Sequence, residues 1–340
     1  MLKQILAIFI ITCLLVGCKT DAPKQGNTEE KPVLQEDENP TITYWTKIIK
    51  ENPKDHKAYF GRAQAYLEKY DPENAVLDFN QAIALDSKNS LYRKVLANYF
   101  FESQQYAKSL NTLKDAIAQI PEDVTLRLLQ AKYLIYTEKY EEAFLELNIA
   151  IQLDPNEAET DYLRALAYRL QGDYDSAAKG YKVAVQKNPD HFNAFMELAN
   201  LYRSRKDPQA IEYFKSAMAI NPQSTEPIYD LGMFYQEQDD FPMALETYRK
   251  AIQIEPMNHL PHYNMGYLYF QMDSINKAYK SFDRTVKLKT TYAKGYYMRG
   301  LCMETQGDLK AAKDDYLQAL TFDENLALAK QGVARLKEKS

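Results

Sequence analysis

Four histidines and three cysteines are the residues of this 340-residue chain with the narrowest chemical uses. His259 and His262 stand close enough to share a metal ion, but Pro261 intervenes and no carboxylate or cysteine nearby completes a coordination set. No Gly-rich phosphate loop, nucleophile elbow or histidine–carboxylate signature is present. Aspartate and glutamate number 47 against 42 lysines and arginines, and they are spread as solvated helix residues are, without suggesting a glycosidase pair. We therefore expect no enzymatic activity, no cofactor and no metal. The net charge of −5 argues against a nucleic-acid partner, which calls for a basic excess. The chemistry left to the chain is recognition by a surface, and that depends on how the surface is built.

A repeated spacing shows the construction. In units of about 34 residues, the period of a helix–turn–helix array, the eighth place reads Ala63, Ala97, Ala131, Ala165, Ala199, Gly232, Gly266 and Gly300. The twentieth place runs from Ala75 to Ala312 with Ser109 as the exception, and the twenty-seventh from Ala82 to Ala319 with Thr285 as the exception. Large side chains at these places would hold neighbouring helices apart, because close-packed interiors have no spare volume. Aromatic or leucine residues at the twenty-fourth place (Phe79, Leu113, Leu147, Tyr181, Phe214, Tyr248, Phe282, Tyr316) are expected to plug between helices. Most of the 27 tyrosines are expected in such seams with their hydroxyls reaching water.

Pro121, Pro155, Pro189, Pro222 and Pro256 close units, and Gly172-Asp173 and Gly307-Asp308 mark turns within them. The units run 56–89, 90–123, 124–157, 158–191, 192–224, 225–258, 259–292 and 293–326, the fifth being one residue short at Lys206-Asp207-Pro208-Gln209. Residues 41–55, with Trp45 and Ile48 in the aromatic and small places, read as a lone N-terminal helix. Residues 327–340 read as an amphipathic C-terminal cap.

The small-residue triplets, the closing prolines and Tyr66, Tyr168, Tyr202, Tyr235 and Tyr269 at the eleventh place resemble the tetratricopeptide repeat (TPR). Ser87, Thr290 and Glu324 depart from the pattern by replacing the closing proline, and Tyr70 replaces the usual turn glycine. The resemblance implies an all-α fold, a right-handed α-solenoid of about eight helix–turn–helix units. It also implies a protein or peptide partner held along the concave wall that the first helices line.

Places two, five, nine and twelve share one stripe of such a helix. Towards the C-terminal end the stripe carries Tyr229, Tyr263, Tyr267, Phe270 and Tyr297, and nearer the middle Lys132, Tyr162, Arg169, Asn200 and Arg203. Rings at one end and cations nearer the middle are expected to hold apolar side chains and an acidic group of one ligand. Repeat 2 adds Lys94 and Asn98, the pair with which some family members begin a carboxylate clamp. The places that complete it hold Leu129, Glu159 and Leu163, so no clamp of that type is expected. Arg62 and Arg299 at the seventh place face Asp78 and Asp315 at the twenty-third and are expected to bridge paired helices, whereas Arg164 faces Gly180.

The first residues read as a processing signal, residues 1–17, with Lys3 ahead of an apolar stretch from Ile5 to Val16. Leu15-Val16-Gly17-Cys18 resembles the lipobox of bacterial lipoproteins, which implies cleavage before Cys18 and acylation of that residue. Several acyl chains suffice for stable anchoring. Residues 18–40 are polar and proline-bearing, a tether with an r.m.s. reach of roughly 25 Å. Lys19 after the lipidated cysteine leans towards the outer membrane. With Cys13 removed and Cys18 acylated, Cys302 remains as a small apolar residue and no internal disulfide forms. The expected partners are thus other envelope proteins or peptides and, through the lipid, a membrane. The alternative is direct binding of a cell-envelope glycan such as peptidoglycan, stacked on the tyrosine stripe.

Overall fold

The computed structural model describes residues 39–337; the signal, Cys18 and nearly all of the tether lie outside them. Eighteen helices and no strand occur among the described residues. The lone α1 (Pro40–Glu51) precedes the pairs α2 (His56–Glu68)/α3 (Pro72–Leu85), α4 (Ser90–Glu102)/α5 (Tyr106–Gln119), α6 (Val124–Tyr136)/α7 (Tyr140–Leu153) and α8 (Ala158–Leu170)/α9 (Tyr174–Lys187). Then follow α10 (Phe192–Ser204)/α11 (Gln209–Ile220), α12 (Glu226–Glu237)/α13 (Phe241–Ile254), α14 (His259–Gln271)/α15 (Ile275–Leu288) and α16 (Ala293–Gln306)/α17 (Leu309–Phe322). The last helix is α18 (Ala327–Lys337). Each helix packs on its predecessor and its successor, so the core is a continuous seam and the fold an α-solenoid.

Local signals start and stop these helices. The side chains of Asp55, Asn89, Asp123 and Asn258 accept hydrogen bonds from first-turn amides, satisfying donors that the helix cannot. The turn inside every pair is a left-handed cap at the fifteenth place: Tyr70, Gln104, Glu138, Gly172, Lys206, Asp239, Asp273 and Gly307 all have positive φ. The next amide returns to the carbonyl five residues back, as in Asp71 N to Tyr66 O at 2.9 Å and Asp308 N to Met303 O at 3.0 Å. With Tyr70 N donating to Leu67 O this is a Schellman motif, which glycine suits best.

Tyr70 is 93% exposed, so its side chain contributes little there. Tyr70→Gly is expected to stabilise the fold by about 0.5–1 kcal/mol, the relieved left-handed cost of ~1–2 less glycine's ~0.5–1 of chain entropy. Urea denaturation checks this. The reverse change, Gly172→Ala, should destabilise although a Cβ there meets nothing within 4 Å.

The small residues at the eighth, twentieth and twenty-seventh places are buried where helices cross. Both exceptions return their hydroxyls to helix carbonyls: Ser109 Oγ donates to Ala97 O at 2.7 Å and Thr285 Oγ1 to Ser281 O at 2.9 Å. The twenty-fourth-place side chain lies between the eighth place of its own unit and the sixth place of the next. A Cβ on Gly300 would come 3.0 Å from one edge of the Tyr316 ring, and one on Gly332 of α18 would come 2.6 Å from the other. Likewise Gly61 lies against Trp45 of α1, where a Cβ would approach to 2.5 Å. Both end helices thus cover the array through a ring-on-glycine contact.

One expectation about side chains changes. Tyr181, Tyr248 and Tyr316 are fully buried, so their hydroxyls do not reach water as seam tyrosines were expected to. His259 and His262 are half-buried: the His259 ring packs edge-on to Tyr292 at 4.8 Å, and burial lowers the pKa of both. No cluster of metal-ligating residues occurs among the described residues. Cys302 is buried in the seam, which pushes its thiol up to about 12. No described helix is long and apolar enough to cross a membrane.

Candidate functional site

The wall formed by the first helices carries the stripe residues, and neighbouring repeats join across it. In repeat 2, Lys94 Nζ donates to Thr125 Oγ1 at 2.9 Å, and Asn98 accepts the hydroxyl of Tyr133. These two are therefore held by repeat 3. Lys132 and Asn200 are exposed. Tyr162 is half-buried with its ring 5.6 Å from Tyr181 and 4.8 Å from His191.

The two arginines expected to receive an acidic ligand are already paired. Arg169 Nε lies 3.1 Å from Glu197 Oε2. Arg203 grips Glu237 through two hydrogen bonds, Nη2 to Oε1 at 2.6 Å and Nε to Oε2 at 3.0 Å, and its Nη1 is 3.6 Å from Asp230. A cavity of about 190 Å³ opens beside Arg203, lined by Asn200, Arg203, Ser204 and Glu237. His191 Nε2 sits 3.2 Å from Glu159 Oε2, while its Nδ1 accepts the Ala194 amide at 3.3 Å, so Nε2 carries the proton and donates.

Carboxylates outnumber guanidiniums in this neighbourhood. Burial raises the pKa of Glu197, with Arg169 opposing and Glu226 adding to the rise. Burial also raises Asp230, opposed by Arg203 and reinforced by Glu226 and Glu237. A folded pKa above the unfolded one means that the ionised form costs stability. That penalty is absent below the unfolded value and sets in as pH rises through the folded one. The arginines in the middle of the wall are thus already answered by carboxylates, which leaves them unfit to receive an acidic group.

Towards the C-terminal end the rings form a shelf. Asn264 Nδ2 donates to the hydroxyls of Tyr229 at 3.0 Å and Tyr248 at 3.1 Å. Tyr263 stands edge-on to Tyr292 with centroids 5.3 Å apart and packs on Phe282. Phe270 is half-buried in the same cluster, and Tyr297 stacks on Tyr316 at 5.6 Å. Tyr267 is the exposed ring of the set, at 37%.

Sequence reasoning missed Glu197, Asp230, Glu237 and Asn264. A signal existed at the sixth place, where repeats 5 to 7 hold Glu197, Asp230 and Asn264 while repeats 2 to 4 hold Val95, Leu129 and Leu163. A polar residue at a seam position called for a partner.

A family model described as tetratricopeptide repeat matches residues 42–90, 95–158 and 162–225. A second, described as TPR repeat, matches 233–273, and a third, again tetratricopeptide repeat, matches 293–326. No curated protein matches the chain. Among solved structures, the C-terminal part of a TPR repeat-containing protein from Cytophaga hutchinsonii superposes with a TM-score of 0.60 at 13% identity, covering 70% of this chain and 98% of that one. This likeness concerns the fold alone. The protein MamA aligns at 26% identity and a TM-score of 0.44, covering 48% of this chain and 96% of its own. The APC/C hetero-tetramer Cut9–Hcn1 aligns at 17% and 0.47, covering 87% and 58%.

Proposed function

Because the chain belongs to the tetratricopeptide repeat family, we propose that it is a lipid-anchored scaffold binding protein or peptide partners of the bacterial cell envelope along the wall of its first helices. The observation that supports binding there is the combination of exposed Lys132, Asn200 and Tyr267 with the open cavity beside Arg203. TPR proteins are in general scaffolds without catalysis. The anchor rests on Leu15-Val16-Gly17-Cys18, and Lys19 favours the outer membrane. A glycan reading has less support, because the Tyr263 and Tyr297 rings are taken up by Tyr292 and Tyr316 and Tyr267 alone offers a largely open face.

Two measurements on intact cells test this. A photo-crosslinking residue at Asn200 or Tyr267 is expected to give discrete protein adducts, and the same residue at exposed Leu77 or Leu145 of the second helices is not. Adducts only from the second helices would move the binding surface to the other side of the array. Cys18→Ser is expected to abolish incorporation of labelled palmitate and release the protein from the membrane fraction. Unchanged label and retention would remove the anchor.

A further inference from the structure

Resting on the lipid-anchored reading, we propose that the outer face of α15 is a second membrane contact, a row of cations that lies on anionic phospholipid headgroups and turns the first-helix wall away from the bilayer. On the second helix of each unit, places nineteen, twenty-two, twenty-six and twenty-nine share one outward line, since steps of three and four residues keep to one helical face. In repeat 7 all four are cations, Lys277, Lys280, Arg284 and Lys287, and all are exposed. No other unit puts more than one cation on this line: repeats 2, 4 and 6 have Lys108, Lys179 and Lys250, and the rest have none. In a chain of net charge −5, positive charge is thus gathered into one row about 15 Å long.

Folding does not call for this row. Like charges three and four residues apart repel, and Lys277 in the first turn opposes the helix dipole. Little within the molecule answers the charge. The one carboxylate of α15, Asp283, is shared between Lys287 Nζ at 2.6 Å and Arg299 Nη1 at 2.8 Å. Lys277 sits over the Tyr269 ring at 5.6 Å, and Lys280 and Arg284 form no ion pair among the described residues. On the same line of α13 and α17, Glu246 is held by Lys250 at 2.8 Å, which leaves Asp314 as the one acidic group. The surplus is felt nearby: burial and then Lys289 lower the pKa of His259, and burial and then Arg284 lower that of His262. A cationic row that weakens its own helix points to an anion outside the molecule.

The partner follows from where the row stands. Four cations strung along a line meet separate headgroups, whereas a single acidic group needs donors that converge on it. A lipid anchor and a basic patch act together as two membrane signals, and each cation at an anionic surface strengthens attachment roughly fivefold. Counting α1 as a second helix, α15 is the seventh after it, about 70 Å along the stack at ~10 Å per helix. The tether reaches only roughly 25 Å, so by itself it leaves the far end of the array unplaced. Surface attraction fades within about 10 Å, so the row has to touch the headgroups, and contact there lays the array along the bilayer. Because the row belongs to a second helix, the first-helix wall then stays open to protein partners.

The test uses the full chain as cells process it, returned from detergent to vesicles of phosphatidylcholine alone or mixed with phosphatidylglycerol. Cys302 is buried, so a dye is attached at Gln318→Cys on the outer face or at Tyr267→Cys on the wall. Lipids bearing a headgroup nitroxide should quench the dye at 318 at least threefold more with phosphatidylglycerol than without, and high salt should erase the difference. The dye at 267 should show no such difference, and polyglutamate at equal anion concentration should not relieve the quenching. Lys280→Glu/Arg284→Glu should bring the dye at 318 to the phosphatidylcholine level. Its melting temperature should not fall, because two of three repulsions along the row become attractions. Flotation with both vesicles but equal quenching, or quenching unmoved by the charge reversal, overturns the row and leaves the anchor in place. Quenching at 267 instead puts the wall on the bilayer and overturns it as well. Relief by polyglutamate reassigns the row to an acidic polypeptide. Flotation with neither vesicle overturns both row and anchor.

Discussion

Gly232→Leu is expected to destabilise the array by at least about 3 kcal/mol and to split its unfolding into two phases. The Cα of Gly232 faces the fully buried ring of Tyr248, and even a methyl there would stand 2.6 Å from Cε1 and 2.8 Å from Cδ1. A tyrosine ring wedged between α12, α13 and α14 has no free end to swing away. Overpacking costs typically about 1–3 kcal/mol, and more where several heavy atoms are added against a rigid neighbour. Alanine isolates the effect, because glycine to alanine in a helix interior gains about 1 kcal/mol of propensity. Gly232→Ala should nevertheless lose stability, since contact at that distance outweighs the gain. In a stack that holds together only through neighbouring units, a defect at repeat 6 uncouples the halves. Thermal melts followed by circular dichroism should show a lower, broader or biphasic transition. Tyr248→Ala in the leucine background should recover part of the loss, because it empties the space that leucine needs. A leucine variant melting within a degree or two of the parent would mean that the ring is not fixed there.

The same contact explains why the fold was legible and the wall less so. Small residues at three fixed places, and a ring that must lie against them, are properties of one helix pair, so a single unit already states its packing rule. The left-handed turn was harder to read, because glycine fills it only at Gly172 and Gly307 while Tyr70, Gln104 and four other side chains accept the same φ. The wall depends on residues that meet only after stacking: Arg169 with Glu197, Arg203 with Asp230 and Glu237, Asn264 with Tyr229. Along one helix Arg169 and Arg203 look like free cations on a stripe, and they become neutralised when the next repeat arrives. Arg164 shows the rule working, for with Gly180 opposite it turns back to Asn148 Oδ1 at 2.7 Å.

That backward turn completes a pattern in which a seventh-place arginine spans three layers, sixteen residues forward and sixteen back. Arg62 holds Asp78 through two hydrogen bonds of 2.6 and 2.8 Å and reaches back to Thr46 Oγ1 of α1 at 3.2 Å. Arg299 holds Asp315 through two of 2.8 Å and reaches back to Asp283 Oδ1 at 2.8 Å. The Arg299 and Asp315 side chains are only 18% and 9% exposed, so this pair is not a screened surface bridge. Asp315→Ala is therefore expected to cost about 3 kcal/mol, near the low end for breaking a buried pair because Asp283 still neutralises part of the charge. Arg299→Met/Asp315→Leu should recover most of it, since two apolar side chains replace the pair and Lys287 Nζ still holds Asp283 at 2.6 Å. Acid should act in the same direction. Hydrogen bonds from Lys287 and Arg299 outweigh burial and hold the Asp283 carboxyl below its ordinary value, so its contribution is present above the unfolded pKa and lost as pH falls through the folded one. Urea titrations of the parent and both variants at pH 7 and pH 3 measure these effects. The single variant should lose most at pH 7, and the double variant should be the least sensitive to acid. A loss below about 1 kcal/mol for Asp315→Ala would show the pair to be as weak as an exposed one, and the seventh-place arginine would then align the helices without holding them.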